Sequence, residues 1–146
     1  MESISSDVRE AVENVFFNSP FVKHVGVKLH SIAPGRCEAT LKLSSPHLQQ
    51  LGRAHGAAIT TLAGQAALGA ATSLISVDEY VVSPEFKMNL FKPAFPGKLI
   101  CKANVIQAGQ SLIFVESDVF SCSDGVDQLV AKGSFTFIRS KLQQGT

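Results

Sequence analysis

From His55 to Leu74 the chain carries no Asp, Glu, Lys or Arg, and most of the segment is alanine, glycine, threonine and serine. Alanine at this density favours helix over strand. A helix without a polar stripe has to be enclosed on every side, either by lipid or by protein. Lipid is the poorer host, because a span calls for ~20 strongly apolar residues with aromatic flanks. This segment instead holds Gln65 near its middle and has no such flanks. Protein is therefore the expected enclosure, and small side chains let strands come close to the helix axis.

The flanking sequence supplies those strands. Ahead of them, Ser5, Ser6 and Asp7 form a helix start, with hydroxyls to cap free amides and a carboxylate to meet the positive dipole end. Val8, Val12, Val15 and Phe16 then share one face of a short amphipathic helix. Asn18-Ser19-Pro20 is expected to end it, since proline disfavours helix in the residue before it. Strand character begins at Val25. A Pro34-Gly35 turn joins Val25–Ile32 to Arg36–Leu43, whose Cys37, Ala39, Leu41 and Leu43 alternate cleanly. Tyr80–Phe91, Lys98–Gln107, Ser111–Ser121 and Gln128–Ile138 read as further strands, and their short connections imply antiparallel neighbours.

The expected fold is thus α+β: a curved antiparallel sheet around a central Ala-rich helix, with a short helix in front. At 146 residues and 45% hydrophobic composition, one domain over 1–146 with a core at about 21–139 is expected.

Several function classes are set aside at this stage. Lys plus Arg number 13 against 12 for Asp plus Glu, with no long run of one sign, so nucleic acid and anionic membranes are not expected partners. MESISSDVRE has neither the basic patch nor the apolar run of a secretory leader, which makes the cytoplasm the expected location. Cys37, Cys101 and Cys122 lack metal or redox spacing and read as reduced thiols. The four histidines match no ligand pattern, and no metal site is expected.

The order of elements, together with particular residues, resembles a known family. An amide, Gln49, stands six residues before His55-Gly56, which open the threonine-containing helix 57–74. The following strand closes on Phe91-Lys92-Pro93-Ala94, and Gly97, Gly109-Gln110-Ser111-Leu112 and Val130-Ala131-Lys132-Gly133 come after it. In this order the residues resemble the PaaI-like thioesterases, whose fold is the hotdog. The similarity runs from about Phe21 to Ile138. It implies hydrolysis of acyl-CoA thioesters, no cofactor beyond the coenzyme A of the substrate, and assembly into a dimer or a dimer of dimers.

Roles follow position by position as the resemblance implies them. Gly56, without a side chain, lets a thioester oxygen reach a helix-terminal amide; on the residues alone it could equally serve a turn. Gln49 matches an amide that holds the attacking water or the ester, although a solvated loop residue would look the same. His55 is read as fixing the turn in preference to acting as acid or base. Ala57 stands where the family often has glycine. Phe91, Lys92 and Pro93, with Gln110 and Ser111, match segments that contact coenzyme A.

The family's helix carboxylate falls nine residues after the histidine, at Gly64, and no Asp or Glu occurs from His47 through Val77. Three readings stay open. Glu85, assisted by Ser83, could replace the base from the next strand, unless it is simply solvated with Lys87 and Asn89. Gln49 and Gln65 could jointly orient a water for slow hydrolysis. Or the protein binds acyl-CoA without turning it over.

Overall fold

A computed structural model describes residues 3–143, so the outermost residues of the expected 1–146 domain lie outside the described residues. Helix α1 (Ser6–Phe17) begins where the hydroxyls foretold: Ser5 caps it, its Oγ accepting from the Val8 N–H at 3.3 Å. The helix stops at Asn18 and buries Val12 and Phe16.

The next segment differs from expectation. Pro20 does not lead into a strand but occupies the first turn of a second helix, α2 (Pro20–Val25). Proline is well placed there because the missing N–H is one that no helix satisfies internally. Gly26, at φ 96°, turns the chain out of α2 in the left-handed conformation. Strand β1 consequently starts at Lys28, not Val25, and runs to Ala33.

The remaining strands are β2 (Arg36–Leu43), β3 (Glu79–Leu90), β4 (Gly97–Ala108), β5 (Leu112–Ser123) and β6 (Val126–Lys141). All pair antiparallel, in the order β1-β2-β4-β5-β6-β3. Asp124 and Gly125, both at positive φ, close the β5–β6 hairpin, as a two-residue primed turn requires. Strands β1 and β3 are the free edges.

The neutral segment forms α3 (Gly56–Thr72), and every strand of the curved sheet packs against it, with α1 and α2 on the open side. Leu62, Ala63, Ala66, Ala67, Ala70 and Ala71 are fully buried. Three polar ties set its rotation. Gln65 Nε2 donates to the Val15 carbonyl of α1 at 2.8 Å, Ser117 Oγ donates to the Ala63 carbonyl at 2.9 Å, and Ser73 Oγ accepts from the Gly35 N–H at 2.8 Å. No helix among the described residues is long and apolar enough to cross a membrane.

Close approach explains one glycine. A Cβ on Gly69 would stand 2.6 Å from Cys37 Sγ and 3.0 Å from the Phe16 ring. Gly69→Val is therefore expected to destabilise the fold by about 2 kcal/mol through overpacking, since leaving glycine recovers under about 1 kcal/mol of helix propensity. Urea unfolding checks this; an unchanged midpoint would mean that β2 and α3 are not in close contact. Burial also pushes the Cys37 and Cys101 thiols up to about 12, so both stay protonated at neutral pH.

The start of β3 is held by a forked ion pair. Arg139 meets Glu79 at 2.8 and 3.2 Å, and the Ser76 N–H donates to the same carboxylate at 3.0 Å. Together these hold the Glu79 carboxyl down at about 2, below its ordinary 4.5. A depressed carboxyl stabilises the fold above its unfolded value and loses that contribution as pH falls through the folded one. The Tm gap between the native chain and Glu79→Gln is thus expected to be widest above about pH 4.5 and to close toward pH 2. A gap independent of pH would contradict the pairing.

Candidate active site at the head of the central helix

The segment between β2 and α3 is built from local hydrogen bonds. After Leu43 a 3-10 turn (Ser45–His47) carries His47, whose Nδ1 accepts from the Ser44 N–H at 3.0 Å. That assignment leaves the ring proton on Nε2, which donates to the Val25 carbonyl at 2.6 Å. His47 therefore ties the end of α2 to this loop. In the loop, Gln49 N–H donates to the Arg53 carbonyl at 2.8 Å, and the Gln49 side-chain oxygen accepts from the Leu51 N–H. The amide NH₂ of Gln49 makes no bond among the described residues and is left for a ligand.

His55 is the cap of α3. Its Nδ1 accepts from the Ala57 N–H at 3.0 Å, and its own N–H donates to the His47 carbonyl at 2.8 Å. A neutral ring engaged this way keeps its proton on Nε2. In that tautomer His55 can donate to a ligand through Nε2, while Nδ1 is held by the Ala57 amide.

The Gly56 N–H has no acceptor among the described residues. Gly56 lines a cavity of about 260 Å³ together with Arg53, Leu90, Phe91, Lys92 and Pro93. The wall is anchored, because the Phe91 and Lys92 amides both donate to the Val130 carbonyl of β6, at 2.8 and 3.3 Å. The Ala54 N–H meets the Ala94 carbonyl at 2.8 Å on the other side. A free helix-terminal amide with the positive dipole end behind it suits a developing oxyanion. Two cations on the rim suit phosphates.

The structure thus brings Gly56 together with Phe91, Lys92 and Pro93, with Gln49 and His55 on the adjoining loop. Ala57 lies on the other flank of the helix start, in a second cavity of about 470 Å³ with His24, His47 and His55. Arg53 was not singled out in the sequence. A lone charge in a neutral loop carries no pattern, and its companion Lys92 is distant in the chain.

The other candidate residues lie elsewhere in the protomer. Gln65 is buried against α1 through its bond to Val15, so it does not join Gln49 over a water. Glu85 is bonded to Thr136 at 3.2 Å and stands with Lys87 and Asn89 on the outer face of the sheet, turned from α3. The Ser83 hydroxyl donates to the Glu85 carbonyl at 3.0 Å, inside a β-bulge. Gly64 and Ser83 do share a groove, about 320 Å³ in volume, with Leu68, Phe86, Phe135 and Phe137. Its floor is a ladder of stacked rings, Phe86 on Phe135 at 5.4 Å and Phe135 on Phe137 at 6.4 Å.

Gln110 and Ser111 sit in the β4–β5 turn, where the Ser111 carbonyl accepts from the Arg139 N–H at 2.9 Å. That turn flanks the beginning of β3, whereas Phe91–Pro93 follow its end. One protomer keeps the two segments at opposite ends of a strand of 12 residues. Among the described residues, no group of three or more His, Cys, Asp or Glu side chains is placed to hold a metal ion.

Comparison with known proteins adds a family to this geometry. Residues 51–128, just over half of the chain, match the model of the thioesterase superfamily. Human acyl-coenzyme A thioesterase 13 is 26% identical over 140 residues, which cover 93% of this chain and 96% of that protein. A thioesterase family protein of Silicibacter pomeroyi, of known crystal structure, superposes with a TM-score of 0.88 at 25% identity, over 92% of this chain and 98% of that one. The Escherichia coli PaaI protein of the phenylacetic acid degradation operon has the same fold, with a TM-score of 0.82 at 19% identity over 97% of this chain and all of that one. The sheet wrapped around α3 and the family match together place this chain in the thioesterase superfamily, with the hotdog fold of PaaI-like proteins.

Proposed function

We propose that this chain binds acyl-CoA thioesters at the head of α3 and hydrolyses them slowly to free acid and coenzyme A. The observation that carries the reading is the unclaimed amide of Gly56, a residue that lines one cavity together with Arg53 and Lys92. The thioester oxygen accepts from Gly56, the Gln49 NH₂ holds the water, and the phosphates face the two cations. Water adds to the carbonyl carbon, the C–S bond breaks, and the thiolate departs and takes up a proton. One well-aimed oxyanion donor is worth about 10²–10³-fold in rate. A positioned base would add about 10²–10⁴-fold; α3 itself carries no carboxylate and, among the described residues, Glu85 of the next strand is turned away from it, so turnover is slow.

The working unit in this reading is a dimer paired along β3. That edge strand offers unpaired backbone groups, with Phe86 and Leu90 half exposed and Pro84 in its bulge. Antiparallel pairing of two β3 edges about a twofold axis would carry one protomer's Gln110 and Ser111 toward the other's Phe91–Pro93. It would also carry the Gly64 groove of one toward Gly56 of the other. A dimer of dimers is compatible with the same pairing.

The missing base favours a second reading, acyl-CoA binding without turnover. A panel of acyl-CoAs assayed for thiol release at high protein concentration, alongside calorimetry with a non-hydrolysable ester, separates the two. Release above buffer supports hydrolysis. Binding without release supports the second reading, and absence of binding removes both.

A further inference from the structure

The two cavities flanking the first turn of α3 differ in charge. On the Gly56 side stand Arg53 and Lys92. On the Ala57 side the lining holds no Asp, Glu, Lys or Arg; its walls are Phe21, Val25, Leu48, Ala57 and Ala58, with three imidazoles among them. Two of those rings are already engaged. His47 is bonded through both nitrogens, to Ser44 and to Val25, and His55 through Nδ1, to the Ala57 N–H. The Thr61 hydroxyl is likewise committed, donating to the Ala57 carbonyl at 2.8 Å.

An acyl-CoA is polar and anionic on one side of its carbonyl and apolar on the other. We infer that the α2–α3 groove takes the acyl group, as an uncharged alkyl chain of medium length, while coenzyme A leaves over Arg53 and Lys92. The inference rests on the proposed acyl-CoA reading and adds the direction and class of the acyl group. Continuity supports it, since consecutive residues, Gly56 and Ala57, line the two cavities and the carbonyl would sit between them. So does size, because about 470 Å³ is within the usual span of ligand pockets, about 300–1,000 Å³. Helix α2, which sequence patterning missed, then acquires a role: Phe21 and Val25 form the outer wall.

The experiment is calorimetric binding of a series of non-hydrolysable thioether analogues, acetyl-CoA through octanoyl-CoA, and of coenzyme A alone. Affinity is expected to rise about fourfold per added methylene while the chain remains in the groove. Thr61→Phe, which fills the groove, is expected to flatten that rise beyond the shortest chains and to leave coenzyme A binding within twofold. Phe21→Ala removes a wall at a position 61% exposed, where folding is not at stake, and is expected to lower the increment for the longest chains. An unaltered chain-length series in both variants, with esters still bound, overturns the groove assignment and leaves the acyl-CoA reading standing. Failure of every ester and of coenzyme A to bind overturns both.

Discussion

Gly64→Asp is expected to raise kcat for acyl-CoA hydrolysis by about 10²–10⁴-fold, the usual worth of a positioned general base. The position can take the side chain: a Cβ on Gly64 meets the Phe135 ring edge at 3.4 and 3.9 Å, an ordinary contact, and the adjoining groove gives about 320 Å³ for the carboxylate. Leu68, Phe86, Phe135 and Phe137 would raise the pKa of that carboxyl by desolvation, toward the range where it accepts a proton from water near neutrality. Gly64→Asn has the same shape without the base and is expected to give no gain. Steady-state thiol release distinguishes the two variants. Gly64 lies eight residues beyond Gly56, about 12 Å along the helix axis. A gain in Gly64→Asp would therefore also support pairing of β3 edges, which carries one protomer's groove to the other's helix start.

Gly56→Val is expected to lose about 10²–10³-fold in kcat/KM, the cost of removing an oxyanion donor. Its Cβ would lie 3.1 Å from Leu90 Cδ1. That atom is the tip of a side chain 50% exposed, which can move aside, so the fold is expected to persist. What the substitution denies is the close approach of a carbonyl oxygen to the amide. Gly56→Ala should fall between the two. The loss reads most clearly in a Gly64→Asp background, where turnover is high enough for a large decrease to be measured, with coenzyme A affinity as the control. Equal rates for glycine and valine at position 56 would remove Gly56 from the chemistry.

The central helix was legible because composition alone constrains it: alanine and glycine over so long a neutral stretch leave only an enclosed helix. The hairpins were legible because Pro34 presets the φ of its turn position, and Gly35, Asp124 and Gly125 take the positive φ those turns demand. Helix α2 was not, since Pro20 both ends one helix and opens the next, and the signals are identical until Gly26 is seen in its left-handed conformation. The face carrying Glu85 was ambiguous for a similar reason. Strict alternation from buried Val81 would turn Glu85 toward α3, but the bulge between Val82 and Glu85 shifts the register and sends it outward beside Thr136. That Gln65 packs against α1 was not legible, because a helix apolar or small on every side gives no moment to tell which side meets α1. The first turn of α3 was the most readable part of the site, because His55 and Gly56 have local tasks: one caps, the other leaves an amide uncovered.

All of this depends on what meets the first free amide of α3. A crystal structure with a ketone analogue of an acyl-CoA, in which a methylene replaces the thioester sulfur, tests it directly. The expected result is a carbonyl oxygen about 2.7–3.1 Å from the Gly56 nitrogen, with phosphates beside Arg53 and Lys92. An analogue bound with its carbonyl away from that turn, or a Gly56 amide still facing solvent, would contradict it.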